Sequence, residues 1–309
     1  FSWSGSDADG TIISYEYRKD GGEWVEFGLE RALIWSDYLE GNHTFEVRAK
    51  DNEMAFSNIL LWCFTYVRIP SMVWQKCFGG TEGDTGYAAI QTMQGDYLVV
   101  GKTYSDNGDV SHNNGLLDGW IIRVNNSGEL ICEKCLGGTE HDKFVSIKNT
   151  SEGGFILGGD SASDDGDVTV NNGNYDVWIV KLDVEGNLAW QRSFGGSKGD
   201  SNAYVEQTTD GGYVFVATSE SSDGDVSGNK GSYDFWVVKL DSDGALVWQK
   251  CFGGTETDFP YDIKQTNDGG YLVVGETMSN DGDVSGNHGS CDVWIIKLDL
   301  MGNLECQSG

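Results

Sequence analysis

Residues 223–236 read Asp223-Gly-Asp-Val-Ser-Gly-Asn-Lys-Gly-Ser-Tyr-Asp-Phe-Trp236, and versions of this stretch occur four times along the chain. The central Gly-Asp-Val triplets lie 58 residues apart and begin at Gly108, Gly166, Gly224 and Gly282. The closing tryptophans and the Gly-Gly pairs between copies keep the same spacing without an insertion. A fixed period of this length indicates a repeat architecture, in which similar units stack or surround an axis.

Each copy is predicted to contain four short antiparallel strands. In the third copy these are residues 203–208, 213–219, 234–240 and 245–252. Asp-Gly-Gly and Asp-Ser-Asp-Gly segments join the first to the second strand and the third to the fourth, and they supply the glycines that tight hairpins need. Four strands per repeat are typical of a propeller blade. The predicted fold class is therefore all-β, with a β-propeller of four repeats over residues 73–309, or part of a larger propeller.

Three further expectations concern packing. Residues 73–78 match the fourth strand of a copy, so they are expected to form a strand that helps to close the ring. The small residue inside each second strand predicts a close approach between blades at Gly101, Gly159, Ala217 and Gly275. The tryptophan that follows each acidic loop is expected to be buried between blades, at Trp120, Trp178, Trp236 and Trp294.

The repeats resemble the bacterial β-propeller repeat proteins of the SBBP type. The resemblance rests on Phe252-Gly-Gly-Thr-Glu-Thr-Asp258, Asp268-Gly-Gly-Tyr-Leu-Val-Val-Gly275 and Asp292-Val-Trp-Ile-Ile-Lys-Leu-Asp299. It implies a large secreted or cell-surface protein of bacterial type, extracellular display and no chemical reaction. The Asp-Gly-Asp-Val loop departs from the commoner pattern of that family, so no ligand is carried over from it.

Residues 1–67 are predicted to form strands throughout. Tyr15-Glu-Tyr-Arg18 and Gly41-Asn-His-Thr-Phe-Glu-Val-Arg-Ala-Lys-Asp-Asn52 resemble strands of fibronectin type III or Ig-like modules. This resemblance implies an N-terminal β-sandwich that is truncated at its start, and residues 68–72 are the predicted linker to the repeats. The whole is expected to be part of a larger multidomain surface protein.

The composition limits the partners. The chain has 49 acidic and 20 basic side chains and a net charge of -29, a balance that repels nucleic acid and anionic membranes. No apolar run approaches the ~18 residues of a membrane span, so none is expected. The seven cysteines fall partly at repeat positions where other copies have Ser or Trp, which favours packing roles over disulfides or a zinc site.

The acidic loops carry oxygen-bearing side chains at alternating positions, with a glycine at position 6 in the third and fourth copies. This spacing is similar to that of calcium-binding loops. The candidate ligands in these two copies are Asp223, Asp225, Ser227, Asn229, Asp234, Asp281, Asp283, Ser285, Asn287 and Asp292. Sparser sets occur in the first two copies, at Asp109, Asp118, Asp165, Asp167 and Asp176. Calcium is therefore the predicted cofactor, and the alternative is that these side chains only cap turns.

The Gly-Gly loops add four aspartates, expected on the same face: Asp84, Asp142, Asp200 and Asp258. Tyrosines near the loop ends are candidates for stacking on sugar rings, at Tyr104, Tyr175, Tyr233 and Tyr261. The loop histidines (His112, His141 and His288) occupy non-equivalent positions, and no acid differs recognisably from its repeat equivalents, so catalysis is not predicted. The first functional hypothesis is an extracellular, non-catalytic binding or structural module for adhesion or display, with an unknown glycan or protein ligand. A lectin-like propeller is the alternative, and a polysaccharide-degrading enzyme ranks third.

Overall fold

The computed structural model describes residues 1–5, 11–36, 39–66 and 72–305. All regular secondary structure in this part of the chain is β-strand. The described residues contain no helix that is long and apolar enough to cross a membrane. The chain divides into two compact units, Phe1–Val73 and Trp74–Gly309. The predicted linker at residues 68–72 lies outside the described residues except for its last position.

The N-terminal unit contains one four-stranded antiparallel sheet. Its strands are β1 (Ile12–Lys19), β2 (Val25–Glu26), β3 (Gly41–Asp51) and β4 (Leu60–Tyr66), in the order β2-β1-β3-β4. Trp3, Tyr15 and Phe45 form the centre of its core. Beyond this sheet, the described residues of the unit form two isolated bridges, Ser2 to Ala32 and Lys50 to Phe56, and no second sheet. The Ig-like sandwich therefore stays a prediction.

The second unit consists of four antiparallel sheets in chain order. The first comprises β5 (Asp84–Gln91), β6 (Tyr97–Thr103), β7 (Asp118–Val124) and β8 (Leu130–Leu136). The second comprises β9 (Asp142–Asn149), β10 (Phe155–Ser161), β11 (Asp176–Leu182) and β12 (Leu188–Phe194). The third comprises β13 (Asp200–Gln207), β14 (Tyr213–Ser219), β15 (Asp234–Leu240) and β16 (Leu246–Phe252). The fourth has three strands, β17 (Asp258–Gln265), β18 (Tyr271–Thr277) and β19 (Asp292–Leu298).

The repeat register positions these strands as predicted, and the all-β propeller fold is confirmed. Both β14 and β15 have the predicted ends, while β13 begins at Asp200, three residues earlier than predicted. The expectation of a strand at residues 73–78 is wrong. This segment has no hydrogen-bonded neighbour strand among the described residues, and β19 pairs with β18 alone of the strands.

Apolar side chains from both faces of the second and third sheets fill the space between successive sheets. Trp236 and Val238 of the third sheet, for example, pack on Val177 and Ile179 of the second. Trp178 and Trp236 are fully buried between successive sheets, as predicted. Trp120 is 3% exposed but packs with Val110 and Phe78 and not between two sheets, and Trp294 is only partly buried and packs on Phe235. The six cysteines within the described residues are free.

At Gly101 and Gly159 the close approach is not the predicted one between blades, whereas a Cβ atom on Gly275 would also lie 2.5 Å from the Phe235 ring of the preceding sheet. A Cβ atom on Gly101 would lie 1.8 Å from the backbone oxygen of Thr85, and one on Gly159 would lie 1.8 Å from that of Lys143. Both oxygens belong to the first strand of the same sheet, where the pairing register shifts at a bulge. The tight approach at these two glycines is therefore inside a sheet and not between blades.

Candidate functional site

The acidic loop of each copy lies against the Gly-Gly loop of the same copy, as predicted. In the third copy, Asp225 Oδ2 accepts the backbone N–H of Gly195 at 3.3 Å, and Asp223 Oδ1 accepts that of Ser197 at 2.7 Å. The carboxylates of Asp109, Asp167 and Asp283 make the first contact in their copies, and those of Asp165 and Asp281 make the second. These side chains therefore join two loops at one edge of each sheet.

The aspartates of the Gly-Gly loops are hydrogen-bonded at both oxygens. Asp200 is fully buried, its Oδ2 accepts the N–H of Gly196 and the hydroxyl of Ser221, and its Oδ1 accepts the hydroxyl of Ser219. The same three contacts recur at Asp84, Asp142 and Asp258, with Thr in place of Ser219 in the first and fourth copies. Both oxygens of each of these four carboxylates thus already accept hydrogen bonds at the start of the first strand, and their role on a binding face stays a prediction.

The aspartate that begins each third strand has one oxygen without a donor in three copies. Asp234 Oδ2 accepts the N–H of Lys230 at 2.8 Å, while its Oδ1 is buried and has no hydrogen bond. Asp118 and Asp176 have the same unpaired atom. Burial, reinforced by neighbouring carboxylates such as Asp258 beside Asp234, raises the pKa of each of the three to about 6. In the fourth copy, hydrogen bonds from His288 instead lower the pKa of Asp292.

The remaining candidate metal ligands also take part in local hydrogen bonds. Asn229 and Asn287 donate to backbone oxygens of the second strand, and each accepts the N–H of the glycine two residues later. The Ser227 hydroxyl accepts the side-chain amide of Gln249, and Ser285 lies in the corresponding loop of the fourth copy. Over residues 1–5, 11–36, 39–66 and 72–305, no group of three or more His, Cys, Asp or Glu side chains is placed to hold a metal ion. Calcium binding therefore stays a prediction of the sequence.

This calcium prediction has a direct test. With 100-fold excess of calcium over Kd, binding to the folded state alone would stabilise the chain by ~2.7 kcal/mol. The melting temperature should then rise with calcium and fall with chelator. Asp225→Asn and Asp283→Asn should remove most of this rise, while Asp109→Asn, from the copy with the sparser ligand set, should remove little. If calorimetry on chelator-treated protein detects no calcium binding and calcium does not change the melting temperature, the aspartates of the acidic loops serve only to join the two loops.

A cavity of about 180 Å³ lies where the first three sheets approach each other. Its lining includes Lys102, Tyr104, His141, Asp160, Tyr175 and Ser201. The Tyr104 and His141 rings meet edge to face at 6.3 Å, and Lys102 Nζ lies 5.7 Å from the centre of the Tyr104 ring. Tyr104 and Tyr175 are 43% and 36% exposed, so aromatic faces are open to solvent at the rim.

Asp160, on β10, is one of two buried acids that line this cavity, with Asp142. Asp160 is 1% exposed, and its Oδ2 accepts the backbone N–H of Asn202 at 2.8 Å and lies 3.5 Å from Lys143 Nζ. Asn202 adopts a φ of 58°, a left-handed conformation that asparagine tolerates better than most residues. Burial raises the pKa of Asp160, although the Lys143 ammonium acts in the opposite direction. Its other oxygen, Oδ1, makes no hydrogen bond within the described part of the chain and can accept one from a ligand.

The cavity is lined by residues that differ between copies. Equivalents of Asp160 are Lys102, Thr218 and Glu276, and those of His141 are Gly83, Gly199 and Thr257. Equivalents of Tyr104 are Ala162, Glu220 and Met278. No sequence pattern predicts a role for Asp160, and the non-equivalent positions of the loop histidines predict none for His141. The available signal was the loss of repeat symmetry at neighbouring positions of the first, second and third copies.

A larger cavity, of about 450 Å³, lies in the N-terminal unit beside Trp3, Gly5 and Ile12. The sequence between Gly5 and Thr11 lies outside the described residues, so no site is assigned there.

No protein-family model matches the chain, and no curated protein does. The resemblance to SBBP-type repeats and to fibronectin modules therefore remains a prediction. A protein of unknown function from Dyadobacter fermentans is similar in structure, with 11% identity, a TM-score of 0.44, and coverage of 85% of this chain and 76% of that one. A GH43_12 protein from a capybara gut metagenome has 10% identity, a TM-score of 0.38, and coverage of 94% and 57%. A mutant of the GH43 protein BlXynB from Bacillus licheniformis has 8% identity, a TM-score of 0.37, and coverage of 85% and 51%.

The chain spans about half the length of the two GH43 proteins. These similarities are too distant to decide either fold or function.

Proposed function

We propose that this chain is a non-catalytic carbohydrate-binding propeller, with the ligand held in the cavity between the first three sheets. The observation that carries the proposal is the combination of two open tyrosine rings with a buried carboxylate that has a free oxygen. Aromatic rings offer apolar surface to the C–H faces of a sugar, and an aligned carboxylate accepts its hydroxyls.

The polar groups of the cavity suit a hydroxyl-rich ligand. Burial raises the pKa of Tyr175, so its phenol keeps its proton at neutral pH and can donate. Ser201 can donate or accept, and Lys102 can donate. The volume of about 180 Å³ lies below the ~300–1,000 Å³ of pockets that enclose drug-sized ligands. We therefore expect one sugar residue to enter, such as the end of a glycan chain.

The second carboxylate of the cavity supports binding without reaction. A glycosidase needs two carboxyl groups in unlike environments, both able to reach the substrate. Asp142 also lines the cavity, but the N–H of Gly138 and the hydroxyls of Ser161 and Ser163 occupy its oxygens, as the equivalent donors do in the other copies. Asp160 alone differs from its repeat equivalents, and one free carboxylate supports recognition better than hydrolysis.

The proposal includes an extracellular, bacterial setting in a larger multidomain surface protein, which rests on the sequence resemblance alone. Calcium is a second element of the proposal. The buried, unpaired oxygens of Asp118, Asp176 and Asp234 favour it, because a cation would satisfy them.

Sugar binding is tested by a glycan array followed by titration calorimetry with the best ligand. Tyr175→Ala should weaken binding at least tenfold, a loss of ~1.4 kcal/mol, and Asp160→Asn should weaken it too. Tyr233→Ala is the matched control, because Tyr233 is the repeat equivalent of Tyr175 and lies outside the cavity. Its affinity should stay within twofold of the wild type. Absence of any glycan binding, or equal losses in the two tyrosine variants, would overturn the site. Release of shortened products from the bound glycan would instead establish an enzyme.

A further inference from the structure

Three tryptophans of the repeat unit fill equivalent slots on the sheet that follows them. Trp190 and Trp248 come from the last strands of the second and third sheets, and Trp74 precedes the first sheet at the same repeat position. Each ring lies beside a tyrosine that begins the second strand of the following sheet. The ring centres are 6.1 Å apart for Trp74 and Tyr97, 5.7 Å for Trp190 and Tyr213, and 5.8 Å for Trp248 and Tyr271.

Each of these rings also covers a glycine in the turn after the third strand of the following sheet. A Cβ atom would lie 2.6 Å from the indole at Gly128 and Gly302, and 2.9 Å from it at Gly244. All three glycines are buried. The slot between the tyrosine and the glycine is therefore shaped to hold an indole ring.

At the junction between the first and second sheets, Cys132 takes the place of the tryptophan. Its side chain is too short to cover Gly186, the equivalent glycine, where a Cβ atom would meet no other part of the chain within 4 Å. Gly186 is accordingly only partly buried, and Cys132 is exposed. A cavity of about 210 Å³, lined by both residues, occupies this position, and we call it the Cys132 slot.

The walls of the Cys132 slot are apolar. They include Leu98, Ile121, Phe155 and Leu182, with Phe155 at the position of the tyrosine in the other slots. An engineered apolar cavity of about 150 Å³ with a similar lining binds benzene. The Cys132 slot is larger, so it has room for a two-ring aromatic molecule.

Lys134 gives the slot a charge that complements an aromatic ring. It lines the slot at the repeat position of Arg192, whose guanidinium lies 5.8 Å from the centre of the Trp190 ring. A cation at this distance is attracted to the electron-rich face of the ring. Within the described part of the chain Lys134 makes no ion pair, whereas Arg123 on the same rim lies 3.0 Å from Asp96. The Lys134 ammonium is therefore available to a ligand.

The acidic side chains of the rim do not compete for this ammonium. Glu133 accepts the indole N–H of Trp120 at 2.9 Å and the backbone N–H of Ser111 at 3.1 Å. Glu185 is exposed to solvent and forms no ion pair with Lys134.

We propose that the Cys132 slot binds a planar, electron-rich aromatic compound of about the size of indole. Its ring lies against Gly186 and Phe155, with the Lys134 ammonium over its face. The chain itself identifies the group that fits, because three equivalent slots hold an indole. The Cys132 slot shares no lining residue with the cavity beside Tyr104 and Tyr175, so this binding is independent of sugar binding.

Titration calorimetry of the full chain with indole tests the slot. The wild type should bind one indole. Cys132→Trp supplies the missing ring from the chain itself and should weaken the binding of indole at least tenfold. Cys132→Ser is the matched control, because it keeps the slot open, and its affinity should stay within twofold of the wild type. Absence of indole binding by the wild type, or equal affinity in Cys132→Trp, would overturn the proposal. Circular dichroism confirms that each variant keeps its strands.

Alkylation of the thiols tests the same site without a substitution. Cys132 and Cys291 are both free and exposed. Saturating indole should slow the reaction of Cys132 with iodoacetamide at least tenfold and leave the rate at Cys291 unchanged, as followed by mass spectrometry of the peptides. An unchanged rate at Cys132, or equal slowing at both thiols, would show that indole does not occupy the slot.

Discussion

Replacing Trp236 by alanine is expected to lower the free energy of unfolding by about 3–5 kcal/mol. The side chain is fully buried between the second and third sheets, and its ring meets that of Phe215 edge to face at 5.7 Å. Its indole N–H donates to Gln249 at 2.9 Å, so truncation also leaves a polar group of the last strand without a donor. Urea-induced unfolding, followed by tryptophan fluorescence and circular dichroism, measures the loss.

Trp294→Ala is the matched control for this substitution. Trp294 holds the equivalent position in the fourth sheet but is only partly buried, and the three strands described there include no fourth strand to cover it. We expect less than half of the loss seen for Trp236→Ala, because less apolar surface returns to water. Equal losses in the two variants would show that packing between sheets does not determine the stability of the repeats.

The second large effect is a loss of stability with rising pH. Burial raises the pKa of Asp118, Asp176 and Asp234 to about 6, while an unfolded aspartate titrates near 3.9. Between these values the folded state binds more protons than the unfolded state. The stabilising contribution of these protonated carboxyl groups is therefore fully present below about pH 4 and is lost as pH rises through about 6. Each carboxyl contributes up to about 3 kcal/mol, since one pKa unit corresponds to about 1.4 kcal/mol.

The variant that combines Asp118→Asn, Asp176→Asn and Asp234→Asn should show a smaller loss of stability between pH 4.5 and pH 8 than the wild type. Asparagine keeps an oxygen for the backbone donor and places no ionisable group in the buried position. Asp292→Asn, at the equivalent position of the fourth copy, should leave the pH profile almost unchanged, because hydrogen bonds lower rather than raise the pKa of Asp292. Urea titrations in chelator at both pH values measure the difference. An identical profile for the triple variant and the wild type would contradict the protonation of these buried groups.

The repeat spacing predicted most of the strands, since glycine-bearing turns and alternating apolar residues fix where β14 and β15 begin and end. The repeat spacing predicted the start of β13 three residues too late. The strand begins at Asp200, whose hydrogen-bond donors lie in the preceding loop and at the end of β14 and just after it, so its position depends on contacts that the spacing does not show. The repeat spacing also predicted a strand at residues 73–78 from sequence identity alone. A strand needs a hydrogen-bonded neighbour, and whether one is available depends on how the array of sheets closes.

Only half of the candidate site could be predicted from the sequence. Tyr104 and Tyr175 were chosen as aromatic loop residues, and the structure brings them to one cavity, whereas Tyr233 and Tyr261 are not part of it. Asp160 lies inside a strand, and its contacts with Lys143 and with Asn202 from the next copy depend on the packing of two sheets, which the sequence does not show. Repeat-symmetric residues such as Asp225 and Asp200 carry the clearest pattern in the sequence. In this chain they join loops, while the candidate site lies where the copies differ.

The most direct test is a crystal structure with the best glycan from the array bound. The sugar should lie between the rings of Tyr104 and Tyr175, with a hydroxyl within hydrogen-bond distance of Asp160 Oδ1, at or below about 3.0 Å. A sugar bound instead at the acidic loops, with the cavity between the first three sheets holding only water, would contradict the proposed function.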